Sequence, residues 1–270
     1  RWRTVDKWLM GEAFVNSHLE EFLHELCGRI GPRWAGTAGD LAAGSYIVGA
    51  FEQFGLTDPR SEEFKLDAWD YSSCRGRIVK DNRTVDLVPM IHCPPTEVRG
   101  RLVDVGFGMP HELTSRLDHL RGGIAVIAVA DEPFTEPCPL PERLRALAAA
   151  GCVAAVAVEQ RAGGHIETLR ATDKRWNARA GDVLPHPLPS VQTHREDGAR
   201  LRRAAGETME IAVDSKAFTS ACFNSVADLP GQSWPDETLI LGSHQDTYMD
   251  SPGAVDNGSG LAVMLETMRL

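Results

Sequence analysis

The chain is 270 residues long, enough for one large domain or two ordinary ones with buried cores. Its composition, 43% hydrophobic and 24% charged with 25 glycines and 16 prolines, is that of a folded chain and excludes a disordered or collagen-like one. A net charge of −10, with the acids spread along the chain, argues against nucleic-acid binding, which needs a basic face.

In chain order, residues 6 to 30 place Leu19, Phe22, Leu23, Leu26 and Ile30 at helical spacing, and Gly31-Pro32 stops that helix. A second helix follows, with Thr37 and Asp40 as N-cap candidates, a stripe of Ile47, Val48, Phe51 and Phe54, and Gly55 at the C-cap. Three short strands are predicted next, Glu62 to Leu66, Arg75 to Lys80 and Val85 to Met90. Gly122 to Ala130 is a continuous apolar run suited to a strand buried on both faces. With a helix from Pro141 to Ala150 and a strand from Val153 to Val158 it makes a β-α-β unit. The longest apolar stretch, Ala146 to Val158, is 13 residues, too short for the roughly 20 that span a bilayer.

Residues 161 to 187 hold Gly163, Gly164, Gly181, Pro185 and Pro187 among many charges and predict a surface loop. A strand at Leu188 to Gln192, a helix near 195 to 204 and strands at Met209 to Val213 and Phe223 to Leu229 follow. "TLILGSH" reads as a buried strand. The last helix carries Leu261, Met264, Leu265 and Met268 at i, i+3, i+4, i+7.

The segment between that strand and that helix, "HQDTYMDSPGAVDNGSG", holds His244, Asp246, Asp250 and Asp256 among small and turn residues. In open α/β sheets, ligands bind where a strand's carboxyl end meets a helix. Three carboxylates and an imidazole converging there would leave uncompensated charge, and a divalent cation resolves the conflict with donors that zinc accepts. If the strand continues through the H-x-D spacing, Asp246 lies on the same face as His244 and can orient its ring. Asp256 sits near a helix N-terminus, where carboxylate charge is favoured.

"LILGSHQD" and "SPGAVDNGSGLAVMLE", with "GPRWAGTAGDLAAGSYIVGAFEQFGL" more loosely, resemble the co-catalytic zinc exopeptidases of clan MH, a group of zinc aminopeptidases and glutamate carboxypeptidases with a protease-associated insert. The resemblance implies an α/β fold, a three-layer α/β/α zinc-peptidase domain, incomplete here, with an inserted β-rich protease-associated domain. It divides the chain into residues 1–67 and 217–270 of the peptidase domain and an insert at 68–216, the last stretch carrying the first metal loop. It further implies that His244 ligates one zinc, that Asp246 is the catalytic partner orienting His244, and that Asp256 bridges two zinc ions and is followed by a cis peptide to Asn257. The implied reaction is hydrolysis of a peptide substrate, by an aminopeptidase first of all, with a metal-activated water. A secreted, periplasmic or lysosomal-type compartment and a homodimer are compatible with the same resemblance.

The chain ends 14 residues beyond Asp256, before the Glu-Glu pair and later ligands the resemblance would supply, so it reads as the N-terminal part of a longer enzyme, inactive by itself and a weak zinc binder. Glu62-Glu63 precedes the loop in a predicted strand and is set aside as a catalytic pair, and Glu266 reads as solvated. Arg1 is not followed by a basic-then-apolar leader, so a signal peptide is read as absent or removed. Six cysteines, none in a C-x-x-C pair, read mainly as buried thiols, with one or two disulfides the alternative. His92 reads as a loop or strand-end residue, and His18, His24, His111, His119, His165, His186 and His194 read as lacking acidic partners at ligand spacing. Two other functions fit the same scaffold, a non-catalytic binding or receptor-like relative and a glutaminyl-cyclase-like acyltransferase. Intact His244, Asp246 and Asp256 argue against the first and the insert against the second.

Overall fold

The computed structural model describes residues 2–167, 187–234 and 236–270. The elements in chain order are α1 (Trp2–Val15), α2 (Leu19–Leu23) running on as π-type turns through His24–Ile30, α3 (Ala38–Gln53), β1 (Thr57–Ile78), β2 (Arg83–Val85), β3 (Val88–Pro89) and β4 (Thr96–Asp104). There follow α4 (Pro110–Thr114), α5 (Leu117–Leu120), β5 (Ile124–Ala128), α6 (Leu140–Ala149), β6 (Ala154–Val158), β7 (Ser190–Thr193), α7 (Arg195–Arg203), β8 (Thr208–Asp228), π-type turns at Ala254–Gly258 and α8 (Ser259–Arg269). Most of the predicted 161–187 loop, with His186, lies outside the described residues. The chain divides into two compact units, one of residues 1–68 and 219–270, the other of residues 69–218.

In the unit of residues 69–218 the sheet order is β2-β1-β8-β4-β5-β6-β7-β3. The strands β4, β5, β6 and β7 are mutually parallel, with β5 and β6 paired from Ile124↔Ala154 to Ala128↔Val158. The continuous apolar run predicts this placement, since a central parallel strand is covered on both faces and every residue of β5 and β6 is buried. Leu113, Leu120, Ile127, Leu144 and Leu147 form the core on one side of this sheet. On α7, Gly198 permits close approach to β6, because a Cβ there would meet Val158 Cγ1 at 2.1 Å. The strand Thr96–Asp104 pairs antiparallel with β8 from Thr96↔Val213 to Arg101↔Thr208. The predicted strands at 62–66 and 75–80 are one long strand, as are those at 209–213 and 223–229. The polar stretches that read as turns stay extended because β1 and β8 are sheet neighbours.

In the other unit, Phe22, Leu26, Ile47, Phe51, Leu261, Met264 and Leu265 close one core from α2, α3 and α8. Thr37 stands at the N-cap of α3 without a capping side-chain bond, its hydroxyl donating to Trp34 O at 2.6 Å instead. Gly55, just past the helix, has the positive φ (72°) that makes glycine the natural stop. The first predicted helix is interrupted at residues 16–18, where the Asn16 amide turns back to the Glu12 carboxylate. No residue of α1 is buried.

Two expectations fail here. The "TLILGSH" segment is not a buried strand: Leu239 and Ile240 are 96% and 87% exposed, and no strand among the described residues pairs with them. A strand needs a neighbour for its backbone groups, and apolar content alone does not supply one. In the 270-residue chain, Leu239→Ser with Ile240→Ser is therefore expected to change the unfolding free energy by less than about 0.5 kcal/mol in urea titration; a loss above about 1 kcal/mol would place these side chains in a core of that chain.

Glu266 is likewise not solvated. It is buried, pairs with Arg269 Nε at 2.8 Å and accepts from the His18 backbone N–H at 3.4 Å. The Arg269 guanidinium holds its carboxyl below the usual carboxylate range, against the opposing effect of burial. A carboxyl depressed on folding stabilises the fold above its ordinary pKa and loses that contribution as pH falls through its folded value. Glu266→Gln is expected to lower stability at pH 7 and to flatten the acid limb of the stability curve below about pH 4.5, read by thermal melts across pH. An unchanged acid limb would refute the assignment.

All six cysteines are free thiols, so the disulfide alternative does not hold in this structure. Burial pushes Cys74 up to about 12 and Cys93 and Cys152 to about 11, which keeps them protonated and unreactive at neutral pH.

Candidate metal centre

The loop 242–258 follows the exposed 238–241 run and leads into α8. Its backbone is gripped from the chain's N-terminal part. Thr247 and Arg33 bond reciprocally, Thr247 N donating to Arg33 O at 3.1 Å and Arg33 N to Thr247 Oγ1 at 2.8 Å. Gly253 takes a left-handed conformation, and a Cβ there would meet Thr247 Cγ2 at 2.1 Å, so the turn requires glycine. Gly258 is equally constrained, since a Cβ would meet Cys27 Sγ at 2.6 Å.

This frame brings together three of the four chemical residues read from the sequence. His244 Nδ1 lies 2.9 Å from Asp246 Oδ1, and His244 Nε2 lies 3.1 Å from Asp256 Oδ1. The imidazole is thus bracketed by two carboxylates, one on each nitrogen. All three side chains are about half exposed or more, so the group opens to solvent. The Asp256–Asn257 peptide is cis, and the Asn257 amide donates to Ser243 Oγ at 2.7 Å, tying the two ends of the loop. Asp250 lies in the same loop at positive φ.

The donor set fits a divalent cation. Two donors about 2.0–2.1 Å from one tetrahedral ion stand about 3.3 Å apart, close to the gap between His244 Nε2 and Asp256 Oδ1. With Nδ1 donating to Asp246, Nε2 keeps its lone pair for a ligand, the arrangement in which a carboxylate fixes a metal-binding histidine's tautomer.

A second cluster escaped the sequence reading. Asp86, His194 and Asp197 offer three ligand-type atoms within 4.8 Å of one another, and His194 also lies 3.2 Å from Glu196. The signal was the H-x-E-D run starting at His194, so the expectation that this histidine lacks acidic partners is wrong. It is wrong too for His18, 2.8 Å from Glu21, and for His111, 3.2 Å from Glu132. Glu20-Glu21 is a second adjacent glutamate pair besides Glu62-Glu63, and lies in the first turn of α2. The 86/194/197 cluster has a local explanation. His194 Nδ1 accepts from the Asp197 N–H as the N-cap of α7, while Arg200 Nη1 at 2.5 Å and the Asp86 N–H at 3.0 Å satisfy the Asp197 carboxylate. Metal binding through Nε2 needs a proton on Nδ1 and so competes with that cap.

Residues 224–270 match peptidase family M28. The M28 stretch contains His244, Asp246 and Asp256. Across most of the chain it is similar to aminopeptidase YwaD of Bacillus subtilis (strain 168), 26% identical over 262 residues, 95% of this chain and 51% of that protein. Carboxypeptidase Q of Rattus norvegicus is 24% identical, covering 93% of this chain and 53% of its own length. Among solved structures, a zinc aminopeptidase from Bacillus subtilis superposes with a TM-score of 0.70 at 25% identity, over 93% of this chain and 56% of that one. The α/β fold is the one seen in these zinc aminopeptidases. The chain spans about half the length of the curated relatives it matches.

Proposed function

We propose that the chain belongs to a zinc-dependent exopeptidase, most simply an aminopeptidase, in which His244 and Asp256 hold metal and Asp246 orients His244. The observation that carries the reading is the bracketed imidazole of His244, with a carboxylate within 3.1 Å of each nitrogen, inside the M28 stretch. The match to a zinc aminopeptidase structure and to a curated aminopeptidase supports zinc and N-terminal specificity. Bound there, zinc supplies Lewis acidity that brings a water's pKa down to about 7 and polarises a scissile carbonyl. Within this chain, Asp246 accepts the hydrogen bond from His244 Nδ1 and so orients the ring.

Residues 69–218 fill the place of the protease-associated insert in this reading. Among the described residues no helix is long and apolar enough to cross a membrane. A relative in Mycobacterium tuberculosis, 28% identical, bears the name probable lipoprotein aminopeptidase, which favours an exported setting.

The test, on the full-length protein that carries these residues, is hydrolysis of an aminoacyl anilide set beside an N-blocked dipeptide, with bound zinc measured before and after chelation. Anilide release that disappears on chelation and returns with zinc supports the aminopeptidase. Release from the blocked dipeptide alone would favour a carboxypeptidase, as the carboxypeptidase Q relatives would suggest, and zinc-independent or absent turnover of both would overturn the reading.

A further inference from the structure

Gln245 stands between His244 and Asp246, and its surroundings decide where those two side chains point. In an extended segment successive side chains alternate, so whatever fixes residue 245 to one side fixes 244 and 246 together on the other. Gln245 is held at both ends. Its side-chain Nε2 donates to Asp40 Oδ1 at 2.7 Å, and its carbonyl accepts from Arg33 Nε at 2.8 Å. Asp40 is buried and is itself fixed by the Gly36 N–H, 3.0 Å from its other oxygen.

Arg33 reaches further. It is fully buried, and besides Gln245 O it donates to Leu26 O at 2.7 Å, Gly31 O at 2.9 Å, Pro252 O at 3.0 Å and Gly253 O at 3.4 Å. One rigid guanidinium fork therefore ties the backbone just after His244 to the turn just before Asp256, and both to the end of the preceding helix. A buried charge is tolerated when acceptors surround it, and here five carbonyl oxygens do so.

We propose that Arg33, seconded by Asp40 through Gln245, is the positioning residue that assembles the metal loop in the absence of metal. The inference rests on the reading of His244 and Asp256 as metal ligands. In this view the "GPRWAGTAGD" segment is not only the entry to α3 but the socket into which the loop is set.

Two measurements on the full-length protein that carries these residues test it, amide hydrogen exchange in the metal-free state and cobalt(II) titration followed by the visible spectrum, on the wild type, Arg33→Met and Arg33→Lys. Arg33→Met is expected to speed exchange at Thr247 and Gly258 at least tenfold while amides of β5 and β6 keep their rates, and to weaken cobalt binding about 10- to 100-fold. Arg33→Lys, which keeps the charge but donates to fewer carbonyls, is expected to recover part of both, and it carries the test if the methionine variant does not fold. Unchanged exchange at 245–258, or cobalt affinity and spectrum equal to wild type, would overturn the positioning role. Failure of the wild type itself to bind cobalt would instead overturn the metal reading on which the role depends, so the two failures are told apart by the wild-type titration.

Discussion

Asp256→Ala in the full-length protein that carries these residues is expected to strip metal from the proposed site and lower aminoacyl-anilide hydrolysis by about a thousandfold or more, equivalent to about 4 kcal/mol of transition-state stabilisation. The carboxylate stands 3.1 Å from His244 Nε2, so in the proposed site its loss removes the oxygen ligand beside that nitrogen. His244→Ala removes the other donor and is expected to do the same. Asp246→Asn is milder, because Asp246 reaches only His244 Nδ1 and an amide oxygen can still accept that proton; a 10- to 100-fold loss of zinc affinity is expected. Since the Asp256 side chain is 69% exposed, Asp256→Ala should shift the unfolding free energy of the metal-free protein by no more than about 0.5 kcal/mol, which separates loss of metal from loss of fold. Zinc content by elemental analysis, anilide rates and urea titrations on the three variants check the order. An Asp256→Ala protein that keeps its zinc and its rate would remove the residue from the site.

How much of this was legible in the sequence depends on whether a residue's partners lie near it in the chain. His244 and Asp246 are two residues apart and Asp256 is ten further on, in a loop dense with small residues, so local spacing and the resemblance together singled out the three that the loop brings together. The β-α-β unit of β5, α6 and β6 was legible because a run such as "GGIAVIAVA" suits a strand covered on both faces. The "TLILGSH" run has the same texture but no neighbour among the described residues, and pairing is a property that composition does not carry. Glu266 misled for the opposite reason. Nothing in the sequence near Glu266 shows that the chain returns at His18 to cover it, although Arg269, three residues on, was a readable partner. Arg33 and Asp40 escaped as site residues because their partner, Gln245, lies more than 200 positions away.

Arg143→Met is expected to cost about 3 kcal/mol or more of stability without touching the metal loop. In "PLPERLRALAAA" the arginine reads as one of several charges on a polar helix face, yet it is 2% exposed. Its guanidinium donates to Phe107 O and Val129 O at 2.8 Å, to Ala128 O at 3.0 Å and to Ala130 O at 3.1 Å, joining the segments that follow β4 and β5. Burial lowers its pKa, partly offset by Asp131, but the carbonyl cage needs the protonated form, and arginine alone among cations combines that fork of donors with so high a starting value. Methionine fills the volume and leaves four carbonyls without their donor, each costing about 1 to 3 kcal/mol where water cannot enter. Because several of these oxygens are only partly buried, water can reach some of them, and the expected total stays near the lower end of the sum. Arg143→Lys, with a point charge that reaches fewer of the four, should fall between. Urea titration gives the totals, and amide exchange at Val126 and Val156 shows whether the loss is centred on the parallel strands. A change below about 1 kcal/mol for Arg143→Met would mean that water replaces the guanidinium at all four carbonyls, and that its burial is incidental to the strength of the sheet.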